Sequence, residues 1–358
     1  MSNYFWCDVN LKNIENNINV IRDLIQNKKL IAVIKGDAYG LGSKEIAEFI
    51  EDKVDIIAVG NIDESLCLDN INKDILILSP LCTKDDFKDE RDNLILTLDN
   101  EEILNELDKE TKKRVHIYVD TGMNRMGIKP NKLDSFIERV KNEFPNLEID
   151  GIYTHLHNAK DVNYTLKQIE LFKSTVEKYK DKVRIIHCMA SSAIVNDQLR
   201  KACDFTTGAR AGNVLYGYIG FNKGIKKTYE YYAKPVNTYK VSKGQTVGYG
   251  CLFKADKDME FKADKDMEIG IIECGNVHGL GISREIKNNV FYDIFRMIYR
   301  RFKERSVIFN KNIPVKILGK VNMNITIISM ENCSKDSVLK VDISPIISDS
   351  SIEKRYIY

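Results

Sequence analysis

Up to about residue 220 the sequence repeats one pattern: a short apolar run of β type, then, for most of them, a segment long enough for a helix. Leu30-Ile31-Ala32-Val33-Ile34 reads as a buried strand, and Ser43–Ile50 as a helix opened by a serine cap. Residues 55–59 form the next strand, followed by a helical 62–68, and residues 75–78, 94–98, 115–119, 151–154 and 184–187 continue the series. Strands separated by helices in this way pair in parallel. This many predict an α/β fold that begins with a closed (β/α)8 TIM-type barrel.

After about Tyr232 the texture changes to short strands joined by turns, at residues 236–241, 246–249, 269–273, 315–320, 324–329 and 339–343. The expected division is therefore a barrel over 1–232 and a smaller, mostly β domain over 233–358. A chain of 358 residues exceeds the usual size of one hydrophobic core, which agrees with two domains. Two insertions stand out. Residues 253–260, Phe-Lys-Ala-Asp-Lys-Asp-Met-Glu, recur unchanged as 261–268 and read as a charged loop. Residues 281–320 hold ten basic side chains against three acidic ones, with Phe291, Ile294, Phe295, Ile298 and Phe302 on one helical face expected to pack on its own domain.

Charge and composition narrow the function. Lys+Arg 54 against Asp+Glu 52 leaves +2, which argues against a broad nucleic-acid-binding surface. No apolar run reaches the roughly 18 residues of a membrane span, and the start lacks a basic region followed by an apolar one. A soluble cytoplasmic protein is expected, with no membrane or nucleic-acid partner. The eight cysteines are scattered without C-x-x-C or metal-ligand spacing and read as reduced thiols.

The chemistry starts at Lys35, which ends the first barrel strand in Ala32-Val33-Ile34-Lys35-Gly36-Asp37-Ala38-Tyr39-Gly40. That end of a barrel strand faces the active-site mouth. A lysine there either reaches back to solvent or is kept for reactivity, because desolvation lowers an ammonium pKa and frees the amine.

The same stretch resembles the cofactor-lysine motif of the pyridoxal-phosphate-dependent alanine racemase family, usually A-V-V-K-A-D-A-Y-G. Further matches follow in the family's order: residues 120–127 (Asp-Thr-Gly-Met-Asn-Arg-Met-Gly), Thr154-His155, 187–193, 210–217 (Arg-Ala-Gly-Asn-Val-Leu-Tyr-Gly), Val247-Gly248-Tyr249-Gly250, and 318–323. One such motif would be weak; six in order identify the chain as an atypical member.

The resemblance implies an amino-acid racemase that interconverts L- and D-alanine, with pyridoxal 5'-phosphate as cofactor and a homodimer with shared active sites. Racemisation needs two bases on opposite faces of the substrate with an electron sink between them. The family's pair maps to Lys35 and Tyr249. Tyr39, His155, Ser191, Arg210, Gly212, Asn213 and Tyr356 map to cofactor binding, with Tyr358 as the alternative to Tyr356. Arg125 and Met323 map to the substrate carboxylate. The tyrosine base and the methionine are expected from the partner subunit. A free phenol titrates near 10, so His155 and Arg210 are expected to act as the cations that lower it. Arg210 would face the pyridine nitrogen and leave it unprotonated. His187 reads as a core or supporting histidine, and His116, His157 and His278 receive no role.

Four positions depart from the family pattern. Tyr118 stands where the family usually has a lysine, often carbamylated, that orients the arginine; a neutral phenol does not reproduce that charge. Ala190 replaces an asparagine, Gly275-Asn276-Val277-His278-Gly279 replaces G-Y-A-D-G, and Asn324 replaces an aspartate. These leave the proton-transfer pair intact and alter the substrate end, so a broader substrate range stays open beside alanine. So do a decarboxylase of the same barrel and a weakly catalytic cofactor-binding regulator. Tyr249 and Arg210 favour the racemase.

Overall fold

A computed structural model describes residues 4–78, 82–251, 253–254, 267–282 and 306–358. Eight strands form the closed barrel: β2 (Lys29–Val33), β3 (Ile56–Val59), β4 (Asp74–Ile77), β5 (Leu94–Leu98), β6 (Lys113–Tyr118), β7 (Leu147–Tyr153), β8 (Ile185–Met189) and β9 (Gly208–Ala211). All neighbours are parallel, and β9 closes on β2 with Ile31 opposite Arg210. The predicted barrel is therefore present. Its last strand, Gly-Ala-Arg-Ala, escaped the sequence reading because nothing in it favours a strand.

Inside the barrel, alternate residues separate into two halves. Ile31, Val33, Ile56, Ala58, Leu76, Ile95 and Ile185 make one buried apolar cluster. The arc β6–β9 instead buries His116, Tyr118, Tyr153, His187 and Arg210. Both register irregularities of that arc fall at its histidines, between Val115 and His116 and between His187 and Met189. A bulge re-aims a side chain without ending the strand. Opposite His116 stands Gly151, where a Cβ would lie 2.6 Å from the imidazole Nε2. Only glycine leaves room for that ring.

Helix Leu11–Ile25 opens with Asn10, whose side chain accepts from the Asn13 amide at 2.8 Å, and buries Ile14, Ile18, Ile21 and Ile25 on one face. Helix Ser43–Ile50 has the bounds read from the sequence and buries Ile46, Ala47 and Ile50. Both follow the helical spacing of their apolar residues.

The chain divides into two compact units, Asn10–Thr228 with Tyr358, and the segment before Asn10 with Tyr229–Ile357. The sequence reading assigned residues 1–232 to the barrel. Instead β1 (Phe5–Asn10) pairs antiparallel with β10 (Tyr229–Ala233), Cys7 opposite Tyr231, so the chain begins in the β unit. A six-stranded sheet there runs β16-β15-β18-β10-β1-β19, with β15 (Ile308–Asn310), β16 (Ile313–Pro314), β18 (Leu339–Val341) and β19 (Glu353–Ile357). A three-stranded sheet joins β11 (Pro235–Val241), β14 (Met267–Ile272) and β17 (Thr326–Ser329), and β12 (Thr246–Val247) pairs with β13 (Phe253–Lys254).

Two expectations change in this unit. Residues 315–320 form no strand and make a single bridge, Ile317 to Ile328. The second copy of the octapeptide does not end as a loop: Met267 and Glu268 open β14, opposite Val241 and Lys240. The rest of the duplication and the helical face expected at Phe291, Ile294, Phe295, Ile298 and Phe302 lie outside the described residues.

Candidate active site

A cavity of about 260 Å³ opens at the C-terminal ends of the barrel strands. Lys35, Tyr39, Arg125, His155, Ser191, Arg210, Gly212 and Asn213 all line it. Every barrel residue singled out for a role thus meets in one place. Among the described residues its lining carries three cationic side chains and no carboxylate, a composition suited to an anionic ligand.

Lys35 follows directly on β2, and the four residues after it turn the wrong way. Gly36, Asp37, Ala38 and Tyr39 have φ of 64°, 52°, 53° and 60°, a left-handed turn. Three of them are not glycine, so the conformation is held by its surroundings. The Ala38 amide donates to Ile34 O at 2.7 Å, and Asp37 Oδ1 accepts from the Ser43 amide at 2.8 Å. Lys35 is accessible from the cavity, yet its pKa falls below that of an ordinary lysine. Burial of the ammonium is the larger cause, the charge of Arg125 the next, and Glu64 opposes them.

Tyr39, Ser191 and Gly212 build a cradle. Ser191 Oγ accepts from the Gly212 and Val214 amides at 3.0 and 3.3 Å. Tyr39 rests on Tyr216, ring centroids 5.0 Å apart. A Cβ on Gly212 would fall 2.3 Å from the Tyr39 hydroxyl, so the backbone and the phenol close together only because residue 212 has no side chain. Burial pushes the Tyr39 phenol up to about 12, which keeps it a donor at neutral pH. Two hydroxyls and a glycine backbone at the end of the arc form a phosphate-sized set of polar groups.

Arg210, 4% exposed, anchors a buried chain of polar groups. Its Nη1 lies 2.5 Å from His187 Nδ1, and its Nη2 donates to Thr154 O at 2.8 Å. His187 Nε2 is 3.0 Å from His116 Nδ1, and His116 Nε2 is 3.0 Å from Asp150 Oδ2. Arg184 closes the chain on Asp150 Oδ1 at 2.8 Å. Burial first, then Arg210, holds the His187 pKa well below its ordinary value. Burial also lowers His116, against the opposing pull of Asp150. Burial alone would raise Asp150, but the hydrogen bonds from His116 and Arg184 outweigh it and keep the carboxylate charged.

His155 Nδ1 is 3.4 Å from Arg210 Nη2, and burial together with Arg210, Arg125 and Lys35 brings its pKa to about 3. His155 is therefore neutral. The expectation that it acts as a cation does not hold, and of the two only Arg210 carries charge.

Arg125 rides on a loop tied at several points. Asp120 Oδ1 accepts from the Gly122 and Asn124 amides at 3.1 and 3.0 Å, and its Oδ2 pairs with Lys129 at 2.6 Å. Gly127, at φ 108°, donates its amide to Asp99 O at 2.9 Å. Tyr164 Oη donates to Gly122 O at 3.1 Å from helix Val162–Val176.

Tyr249, Met323 and Tyr356 lie in the β unit. Tyr249 starts a turn between Gly248 (φ 76°) and Gly250 (φ 72°) and is 76% exposed. Met323 is 69% exposed, while its carbonyl accepts from the Val277 amide at 3.1 Å. Asn276 donates its amide to Asn322 O at 2.9 Å, so two of the departing segments, 275–279 and 322–324, are neighbours. Tyr356 belongs to β19, whereas Tyr358 packs its ring edge-on against Phe49, centroids 5.9 Å apart.

Sequence reasoning missed His116, Asp150 and Tyr153. Tyr153 stacks on His187 at 4.8 Å and 7° and lies under the Arg210 guanidinium at 5.2 Å. A histidine between Val115 and Ile117 in a strand run was the available signal; pairing it with Asp150 required the barrel to close.

A closed parallel barrel with a lysine at one strand end, a cationic mouth among its described residues and a β unit defines a class of enzymes, and comparison with known proteins narrows it. Residues 9–219 match the family described as "Alanine racemase, N-terminal domain". "Alanine racemase" of Borreliella burgdorferi (strain ZS7) is 31% identical over 341 residues, covering 90% of this chain and 83% of its own. "Alanine racemase 2" of Clostridium acetobutylicum is 31% identical over 296 residues, covering 77% and 71%. Among solved structures, alanine racemase of Clostridium difficile 630 superposes with a TM-score of 0.81 at 21% identity, over 100% of this chain and 96% of that one. Alanine racemase of Bacillus anthracis, with bound L-Ala-P, gives 0.79 at 21% identity, over 100% and 96%. The chain belongs to the alanine racemase family.

Proposed function

We propose that the chain interconverts L- and D-alanine with pyridoxal 5'-phosphate as cofactor, as a homodimer in which each barrel site is completed by the partner's β unit. The observation that carries this reading is the convergence of Lys35, Arg125, Arg210 and the Tyr39–Ser191–Gly212 cradle on one cavity with no carboxylate among its described lining residues. The cradle suits the cofactor phosphate, because the space a Cβ would take at Gly212 is filled by the Tyr39 hydroxyl. The family resemblance at the site and the names of the relatives favour alanine over a decarboxylation.

Pyridoxal phosphate, when bound, supplies an electron-withdrawing ring that lowers the cost of removing the substrate's α-proton. The chain's own residues do the rest. Lys35 would hold the cofactor and move the proton on one face through its Nζ, whose pKa burial lowers from that of an ordinary lysine. Tyr249 Oη serves the opposite face; its exposure at a glycine-flanked turn suits insertion into a second copy of the chain. Arg125 binds the carboxylate with its guanidinium fork. Arg210 would face the ring nitrogen as a donor that does not give up its proton, which would restrain charge delocalisation and with it side reactions. Asn213, His155, Tyr356 and Met323 complete the cofactor and carboxylate contacts.

Incubating the purified protein with single L-amino acids in deuterated water, followed by chiral analysis, tests the reading. D-alanine labelled at the α-carbon is the expected product. Carbon dioxide release, or no exchange, overturns it.

A further inference from the structure

Gln168 stands on helix Val162–Val176, 3% exposed and outside the cavity lining, yet its amide joins two of the loops that supply that lining. Its Oε1 accepts from the His157 amide at 2.8 Å, and its Nε2 donates to Thr121 Oγ1 at 3.3 Å. A backbone amide can only donate, so Oε1 is the atom at His157 and Nε2 the one at Thr121. Thr121 Oγ1 in turn lies 2.9 Å from Thr154 Oγ1. The loop after β6 carries Thr121 and gives the cavity Arg125 and Met126. The loop after β7 carries His157 and gives it His155, Leu156 and Ala159.

The same helix holds each loop at a neighbouring point. Tyr164 Oη donates to Gly122 O, and Thr165 Oγ1 donates to Asn158 O at 2.8 Å. Gly122, at φ 128°, leaves the helix room to approach, since a Cβ there would sit 3.1 Å from the Tyr164 hydroxyl. Each of those bonds ties one loop to the helix, whereas the Gln168 amide spans the two. Gln168, Thr121 and Thr154 are all buried. A hydrogen bond lost among buried groups leaves a donor or acceptor unsatisfied, which costs more than the bond itself is worth.

We propose that Gln168 is a positioning residue that fixes the gap between Arg125–Met126 and Leu156–Ala159, and thereby the length of carboxylate ligand the cavity accepts. The bridge has one length, because the side chain that makes it is pinned at both ends. Without it, Thr121 and the His157 amide regain partners only by moving their loops. The gap then loosens, and selection against longer ligands weakens. The proposal rests on the functional reading above for the carboxylate as the group the ligands share.

Isothermal titration calorimetry on the holoenzyme, with acetate, propionate, butyrate and pentanoate, reads the length preference of the parent, Gln168→Met, Thr121→Val and the pair. The parent should favour propionate, the carboxylate of alanine's length, over pentanoate. Either substitution should narrow that preference about three- to tenfold. The pair should match Gln168→Met alone, because both remove the same bond. In parallel kinetics, kcat/KM for 2-aminobutyrate relative to alanine should rise by a similar factor, with kcat for alanine changed less than about threefold. Thr121→Val keeps the Gln168 bond to His157 and carries the test if Gln168→Met does not fold. An unchanged length preference at a lowered melting temperature makes Gln168 a purely structural residue and overturns the proposal. Additive effects in the pair, or a parent indifferent to length, overturn it as well. If the parent binds the carboxylates but does not racemise alanine, the functional reading fails and the length series still decides the role of Gln168.

Discussion

Arg210 Nη1 approaches His187 Nδ1 at 2.5 Å, and this contact sets the protons of two buried histidines. A guanidinium can only donate, so His187 Nδ1 accepts and its proton sits on Nε2. That proton points at His116 Nδ1, which must accept, and His116 then donates from Nε2 to Asp150. The charge on Asp150, itself paired with Arg184, is thus linked through two neutral imidazoles to the arginine at the site.

This chain makes stability sensitive to mild acid. Both histidines are buried and titrate below the ordinary 6.5 in the folded protein. As pH falls through about 6.5 the unfolded chain takes up protons that the folded chain refuses. The stability they confer is fully present above that pH and declines below it, by up to about 1.4 kcal/mol per pH unit for each histidine. Urea midpoints measured from pH 7.5 to 5 should fall accordingly; a flat profile would mean that the imidazoles are charged when folded.

Gly212→Ala should damage cofactor binding while sparing the fold. The new methyl group would meet the Tyr39 hydroxyl at 2.3 Å. Overpacking of about 1–3 kcal/mol, realised as an opened cradle, corresponds to roughly tenfold or weaker pyridoxal-phosphate affinity. Absorbance titration of the apoprotein reads this directly, and an affinity equal to the parent's would place the phosphate elsewhere.

Gly151→Ala acts on the barrel interior. Its Cβ would lie 2.6 Å from His116 Nε2, and neither the ring nor the strand has room to retreat. A loss of about 1–3 kcal/mol is expected, visible as a lowered melting temperature; a variant as stable as the parent would show that the His116–Asp150 contact is dispensable.

Sharing of the site can be tested by complementation. Lys35→Ala and Tyr249→Phe should each abolish racemisation alone. Co-expressed as random dimers they should recover about a quarter of parental activity, because half the dimers carry one site with both bases. No recovery in a mixed dimer would assign both bases to one chain.

How much of this was legible in the sequence follows from where each signal lives. Strands such as Leu94–Leu98 and the helix Ser43–Ile50 announce themselves through local periodicity and capping, and their bounds were read without change. β9 carries Arg210 in a run of small residues and could be recognised only once β2 needed a neighbour. β1 pairs with a strand more than two hundred residues away, which no local pattern encodes. At the site, Lys35, Arg125 and Arg210 were visible as motif residues, but the neutrality of His155 was not, because it arises from burial beside three cations. Tyr118 was read as a loss of charge, and that it is buried beside Tyr153 came only with the barrel.

The left-handed turn at residues 36–39 bears on the order in which the molecule is made. Each non-glycine residue in that conformation costs roughly 1–2 kcal/mol, so Asp37, Ala38 and Tyr39 together oppose it by about 3–6 kcal/mol. An isolated segment would never hold it. The corner that presents Lys35 and Tyr39 can form only after β2 is enclosed and the helix at Ser43 has docked to receive Asp37. Loading with cofactor therefore reports a finished barrel, and a chain stalled short of that point has no site to fill.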